Sequence, residues 1–293
     1  MQFLAAAVQM LATSDKEANL SEAEAWTRRA HAEGAQLVVL PEVFNWRGRG
    51  RDTAANAEPV PGPSTERMSA LAAELGLYLL AGSVLESAGT DGRAFNTSVL
   101  IGPDTGIIAK YRKIHLFDVD IEGEDPIRES EYRRPGEFVV VADTPLCPMG
   151  LSVCYDLRFP ELYRRLTAAG AKVIFVPSVF TVPTGRAHWE SLLRARAIEN
   201  QVYIIAPDQT GQHPASMDAY GHSMIVDPWG KVIAQAGTEP GLVLATIDLD
   251  YLENVRRRLP ALDHRREFRD EGSALPSDRQ KTSKTAAGQR ENP

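Results

Sequence analysis

The sequence predicts an α/β fold, and three observations carry that reading. Short apolar runs alternate with stretches of helical spacing along most of the chain. Residues 32–42 (AEGAQLVVLPE) and 168–178 (AAGAKVIFVPS) echo each other as helix end, glycine stop, apolar strand, proline and polar residue. The echo is either a sign of two similar helix–strand units in a pseudo-symmetric sheet architecture or a coincidence of common α/β grammar. In residues 149–163 (MGLSVCYDLRFPELY) an apolar run ends abruptly at Cys154 and a helix begins near Pro160.

In order along the chain, residues 3–9 form an apolar strand candidate. Leu20, Ala23, Thr27 and Ala30 recur at helical spacing behind the capping candidates Ser14 and Asp15, and Gly34 closes that helix. Residues 37–40 are a continuous aliphatic strand ending in Pro41-Glu42. A helix is expected over 68–75, then strands over 77–85, 95–101 and 107–113. The second half continues with a helix over 186–200 and strands over 202–206, 223–226, 231–234 and 242–247. A last helix is expected over 250–259. Residues 1–269 read as one domain, and residues 270–293, polar and nearly free of large apolar side chains, as a disordered or loosely docked tail.

Length and composition bound the class. The 293 residues suffice for one large α/β domain, with 43% hydrophobic and 24% charged residues. A formal charge of -7 argues against nucleic acid or an anionic membrane as the main partner. No apolar run reaches a membrane span, and the N-terminus enters a strand without a basic leader, so no secretory signal is expected. The two cysteines, Cys147 and Cys154, stand too close along an extended run for an intrachain disulfide. They favour a reducing, cytoplasmic setting, with Cys147 as structural filler.

Three side chains could carry chemistry. Cys154 sits where a buried strand turns into a helix, a place where backbone N–H groups and the helix dipole favour an anion; it reads equally as a nucleophile or an inert buried thiol. Glu42 follows a buried strand directly, as a functional carboxylate or as a surface one opening a loop. Lys113 ends the extended segment YRKIHLF, as a desolvated cation or a snorkelling side chain. Strand ends gather along one edge of an α/β sheet, and the three chemistries are complementary: a base for the thiol proton, a thiolate to attack, and a cation for the resulting oxyanion.

The segments LVVLPE, YRKIHLF and GLSVCYDLRFPEL, in that order, resemble the Glu-Lys-Cys motifs of the nitrilase superfamily of carbon–nitrogen hydrolases, over residues 3–266. The resemblance implies a single-domain, four-layer αββα sandwich of two sheets with helices outside, associating as a homodimer or larger homo-oligomer through outer helices. It implies Glu42 as general base, Lys113 as oxyanion cation and Cys154 as nucleophile. It also implies a second glutamate that orients the lysine and the base: Glu129, ahead of the Pro135-Gly136 turn, with Glu131 the alternative if the register shifts. The Tyr155 backbone N–H would be a further oxyanion donor. The segments YDLRFPELYR, GRAHWESLLRARAIENQVY and YGHSMIVDPWG are similar to a narrower group containing the deaminated-glutathione amidases and omega-amidases. Arg186 departs from that group, standing where its pattern has proline. The implied reaction is hydrolysis of the terminal amide of a small 2-oxo acid, deaminated glutathione or alternatively 2-oxoglutaramate, through a cysteine thioester with release of ammonia. Other amidase, carbamoylase or nitrilase activities, or a non-catalytic scaffold, are the remaining readings.

Arg158 either braces Asp156 or binds a substrate carboxylate. Phe44, Phe180 and His188 are candidate pocket walls that read equally as core. Residues 118–129 (DVDIEGEDPIRE) mimic a calcium loop, but Glu122 occupies the third ligand position and strand-like flanks replace helices. Gly221-His222-Ser223 begins like a nucleophile elbow without its closing glycine, and the scattered histidines suggest no zinc site. No phosphate-cradling or dinucleotide glycine motif is present, so no cofactor is expected.

Overall fold

A computed structural model describes residues 1–87, 91–121 and 126–268. The tail expected over 270–293 and residues 122–125 of the calcium-loop mimic lie outside the described residues. The mimic's flanks, Asp118–Val119 and Ile127–Arg128, pair as an antiparallel hairpin.

The helix of residues 14–33 is built as its caps dictate: Lys16–Ala32 starts with the Asp15 carboxylate accepting the Ala18 N–H at 3.0 Å. The helix expected over 68–75 begins earlier, at Pro63–Leu75, because Pro63 supplies the fixed φ of a first turn. The strand expected over 77–85 is two strands, Tyr78–Leu80 and Val84–Ser87. They break at Gly82, where φ is +35° and a Cβ would lie 1.8 Å from the Pro41 carbonyl oxygen, a spot that apolar patterning does not report. The helix Val182–Asn200 likewise starts ahead of expectation, capped by Thr181.

Two sheets share one topology. In the first, Gln2–Gln9, Leu37–Val39 and Tyr78–Leu80 run parallel, flanked by antiparallel Gly241–Asp248 and Ala94–Gly102. In the second, Met149–Leu151, Val173–Phe175 and Tyr203–Ala206 run parallel, flanked by antiparallel Val141–Ala142 and Met224–Val226. The sequence echo has a matching backbone. Gly34 and Gly170 both take positive φ, +90° and +98°. The Leu40 and Val176 N–H groups then donate to the neighbouring strand's Leu80 and Ile205 at 3.0 Å, just before Pro41-Glu42 and Pro177-Ser178. The echo is structural.

Alternation along the strands separates two cores. Ala5, Ala7, Leu37 and Val39 pack with Leu151, Val173 and Phe175 of the second sheet, which joins the sheets face to face. Ala6, Val8, Val38 and Leu40 pack instead with Leu20 and Ala23 of one outer helix and Met68 and Leu71 of another. The helices Pro160–Ala168 and Val182–Asn200 cover the second sheet through Leu162, Leu166, Trp189 and Leu193. The result is the four-layer αββα sandwich, with the central strands of both sheets buried on both faces.

Candidate active site

Glu42 leaves the first sheet behind Pro41 and is only 3% exposed, which a carboxylate tolerates only with partners. It has them. Its Oε1 accepts Asn96 Nδ2 at 2.7 Å and Lys113 Nζ at 3.0 Å, and its Oε2 accepts the Val179 N–H at 2.9 Å. Lys113 follows the strand Gly106–Arg112 and is fixed by its N–H to Asn96 O and by Gly136 N–H to its carbonyl, both at 2.8 Å. The Pro135-Gly136 turn has a steric reason here: a Cβ at Gly136 would sit 2.1 Å from the Arg112 carbonyl oxygen.

Glu129 is the second carboxylate on the lysine, with Nζ to Oε2 at 2.9 Å, and it also accepts the Phe117 N–H and a guanidinium N–H of Arg133. Glu131 is exposed, so the register that places Glu129 inside is the one observed. Burial alone would discharge Lys113, but the carboxylates of Glu129 and Glu42 more than reverse it and hold the ammonium above the ordinary lysine range. Burial also works against the Glu129 carboxylate, and Lys113 and Arg133 overcome it, holding its pKa down at about 2. Two carboxylates and two cations balance within the cluster.

Cys154 enters from the second sheet, 6% exposed, with φ of +49°. Its N–H donates to Pro177 O at 3.0 Å, and Sγ lies 3.8 Å from Val179 O. Burial, reinforced by the Glu42 carboxylate, pushes the thiol well above its ordinary pKa, against the pull of Lys113. The resting group is therefore a thiol, with the Glu42 carboxylate beside it. The turn of residues 154–158 is held from inside by Asp156, which accepts Val153 N–H at 2.9 Å and Tyr111 O–H at 2.7 Å. The Tyr155 N–H has no acceptor among the described residues, which leaves it free for a ligand oxygen.

Glu42, Lys113, Glu129 and Cys154 line one cavity of about 380 Å³. A recess of about 10 Å³ lies on the other side of Cys154, walled by Tyr155, Arg158, Phe180 and Thr181. Arg158 does not brace Asp156; its guanidinium lies 5.7 Å from the ring centres of Tyr155 and Phe180, with Nη1 3.3 Å from His188 Nδ1. His188 is exposed and reaches the site only through Arg158, and Arg186 is exposed two residues earlier. Phe44 is corrected. It is fully buried among Ala6, Leu40 and Met68 in the core beneath the outer helices and lines neither space, because the chain reverses at Val43 (φ +45°) and turns residue 44 away from the sheet seam.

Sequence reasoning missed several residues. Asn96, Gln209 and the Val179 N–H fix Glu42, but they come from remote segments that carry no motif. Arg133 was findable, four residues after Glu129. Arg47 and Arg49 line the cavity from the segment WRGRGR, whose dense basic charge was the available signal.

A buried thiol, a carboxylate and an ammonium from two sheets thus meet at one cavity. The sequence profile of the Carbon-nitrogen hydrolase family matches residues 4–257, and the chain belongs to that family. It is 43% identical over 265 residues to an omega-amidase NIT2 of Xenopus tropicalis, covering 90% of this chain and 95% of the relative. It is 43% identical over 269 residues to a deaminated glutathione amidase of Mus musculus, covering 90% and 83%. Among solved structures, Saccharomyces cerevisiae Nit3, a member of branch 10 of the nitrilase superfamily, superposes with a TM-score of 0.83 at 35% identity, covering 91% of this chain and 97% of that one. The protein is an amide-hydrolysing enzyme.

Proposed function

We propose that the enzyme hydrolyses the amide of a small 2-oxo acid, with deaminated glutathione as the preferred substrate, through a thioester on Cys154. The observation that carries the mechanism is the Glu42–Lys113 pair at 3.0 Å, opening with the buried thiol onto one cavity. Glu42 takes the thiol proton and the thiolate adds to the carbonyl carbon. Lys113 Nζ donates to Glu42 Oε1 at 3.0 Å and to both Glu129 oxygens, at 2.9 and 3.3 Å, and the longest of these contacts is the one given up to substrate. The donor so released, with the Tyr155 N–H, holds the oxyanion. The C–N bond breaks as the amine takes the proton from Glu42. Water then gives a proton to Glu42 and its hydroxide adds to the thioester; the acid leaves and the thiolate recovers its proton. Glu129 keeps Lys113 charged and in place. Arg158 and Phe180 receive the acyl chain, the guanidinium pairing with its carboxylate.

The two amides suggested by the relatives differ in what leaves. From 2-oxoglutaramate it is ammonia. From deaminated glutathione the scissile nitrogen belongs to cysteinylglycine, so the leaving amine is that dipeptide, and the ammonia expected from sequence for both applies to the first alone. The omega-amidase relative supports 2-oxoglutaramate as the second reading.

A homodimer belongs to the same proposal, supported by Trp229 and Ile198, 59% and 49% exposed and adjacent on an outer face; light scattering of the purified chain tests it. A cytoplasmic setting is supported by two free thiols, Cys147 and Cys154. The deciding assay measures 2-oxoglutarate release from both amides by wild type and Cys154→Ala. Turnover that survives the substitution overturns the mechanism, and turnover of neither amide overturns the substrate class.

A further inference from the structure

The cavity has two sides that differ in chemistry. The recess beyond Cys154 holds Tyr155 and Arg158 and does not include Glu42. The larger space includes Glu42 together with Arg47, Arg49, Trp46, Tyr132 and Met217. Since Glu42 must protonate the departing nitrogen, the leaving group lies on the larger side with it, and the recess, about 10 Å³, receives only the far end of the acyl chain.

Charge on the larger side does not balance. Lys113 and Arg133 are matched by Glu42 and Glu129, and Arg128 donates to Asp120 at 2.6 Å and to two backbone carbonyls. Arg47 and Arg49 form no ion pair among the described residues. Arg47 is 5% exposed, and its guanidinium donates only to the amide oxygen of Gln209, at 3.4 Å, and to the Met217 carbonyl. Burial lowers its pKa to about 10, with Asp208, Glu42 and exposed Asp218 acting the other way, so it stays charged at neutral pH. A buried guanidinium with no carboxylate in ion-pair contact is costly unless a ligand supplies one. Its position is set from the reacting centre: Gln209 accepts from Arg47 and donates through Nε2 to the Glu42 carbonyl at 2.7 Å. The glycines of the segment let the arginine-bearing loop lie flat, since a Cβ at Gly48 would meet the Trp46 ring at 2.6 Å and one at Gly50 the Tyr132 ring at 2.6 Å.

We propose that Arg47 and Arg49 form an anion subsite for the leaving group, so that the preferred substrates are secondary amides whose amine carries a carboxylate. The inference rests on the 2-oxo acid amide reading and deepens it. Arg158 takes the carboxylate that stays with the acyl chain, and Arg47 with Arg49 the one that departs. A primary amide leaves this subsite empty.

The test uses three amides of the distal carboxyl of 2-oxoglutarate, formed with glycine, glycinamide and ammonia, and follows 2-oxoglutarate release. The expected kcat/KM for the glycine amide exceeds that of the neutral glycinamide amide about tenfold, as a charge-assisted hydrogen bond supplies. That preference falls toward one in Arg49→Gln and in Arg47→Gln, is kept in Arg49→Lys, and shrinks with added salt. The ratio is independent of how much enzyme folds, and exposed Arg49 carries the test if Arg47→Gln is poorly soluble. Brisk turnover with a wild-type ratio near one, or a ratio that neither Gln substitution moves, overturns the subsite and leaves the 2-oxo acid reading intact. No release from any of the three overturns both.

Discussion

The Asp156 carboxylate grips His115 twice: its Oδ1 accepts the His115 backbone N–H at 3.0 Å and lies 2.7 Å from the ring Nδ1. Asp156 stands two residues past Cys154 and His115 two past Lys113, so this contact ties the turn bearing the thiol to the strand end bearing the cation. The ring is also stacked on Phe159, with centroids 3.6 Å apart, which leaves it little freedom.

Asp156→Asn should therefore lower kcat by at least about tenfold with little change in KM, because it loosens placement rather than binding. Leaving the Val153 N–H or the Tyr111 hydroxyl poorly matched in a buried site should cost about 1–3 kcal/mol in urea unfolding. Wild-type kcat in a protein destabilised by that amount would show that the grip serves folding alone.

The raised pKa of Cys154 predicts base-dependent reactivity. Acrylamide should alkylate Cys154 at neutral pH in wild type, and Glu42→Gln should slow this by at least about tenfold. Cys147 should stay unlabelled, since burial pushes its thiol up to about 12. Mass spectrometry of the modified peptide gives the site, and equal labelling in Glu42→Gln would remove the carboxylate from its role as base.

Lys113→Met should reduce single-turnover acylation by about 10²–10³, the usual loss for one oxyanion donor. It also strands two buried carboxylates, so stability should fall by about 3–5 kcal/mol. Wild-type acylation in the folded fraction would sink the oxyanion assignment.

Acid should destabilise the protein through Glu129. Its native pKa of about 2 lies below the ordinary 4.5, so between those values the unfolded chain binds a proton that the native state refuses. Its contribution is complete above about pH 4.5, on the order of 3 kcal/mol, and is lost as pH falls toward 2. Glu129→Gln, less stable at neutral pH, should show a flatter decline of unfolding free energy between pH 5 and about 3. An unchanged slope would place the acid sensitivity elsewhere.

What sequence could and could not disclose follows from the range of each interaction. Strand and helix placement is local: Asp15, Gly34 and the aliphatic run at 37–40 carry their own signals. That Glu42, Lys113 and Cys154 meet was legible because each motif holds its residue and its turn together. The Gly82 break was not, because the reason is the Pro41 carbonyl from another strand. Phe44 failed for a similar cause: one positive φ at Val43 decides which core the ring enters, and periodicity is silent on it. Arg47 carried charge in plain sight, yet only the tertiary structure shows that its guanidinium donates to Gln209 and the Met217 carbonyl and makes no ion pair among the described residues.

Glu42 and Lys113 are carried by one sheet and Cys154 by the other, and the seam between them is aliphatic packing such as Ala5, Val39 and Leu151. Beyond the ties at the site itself, such as Asp156 to Tyr111 and His115 and the Val179 N–H to Glu42, packing of this kind has no directional bond to hold register once it loosens. Catalysis is thus a gauge of whether two preformed halves are seated on each other. Under mild heating or low denaturant, turnover should vanish while far-ultraviolet circular dichroism still reports intact strands and helices.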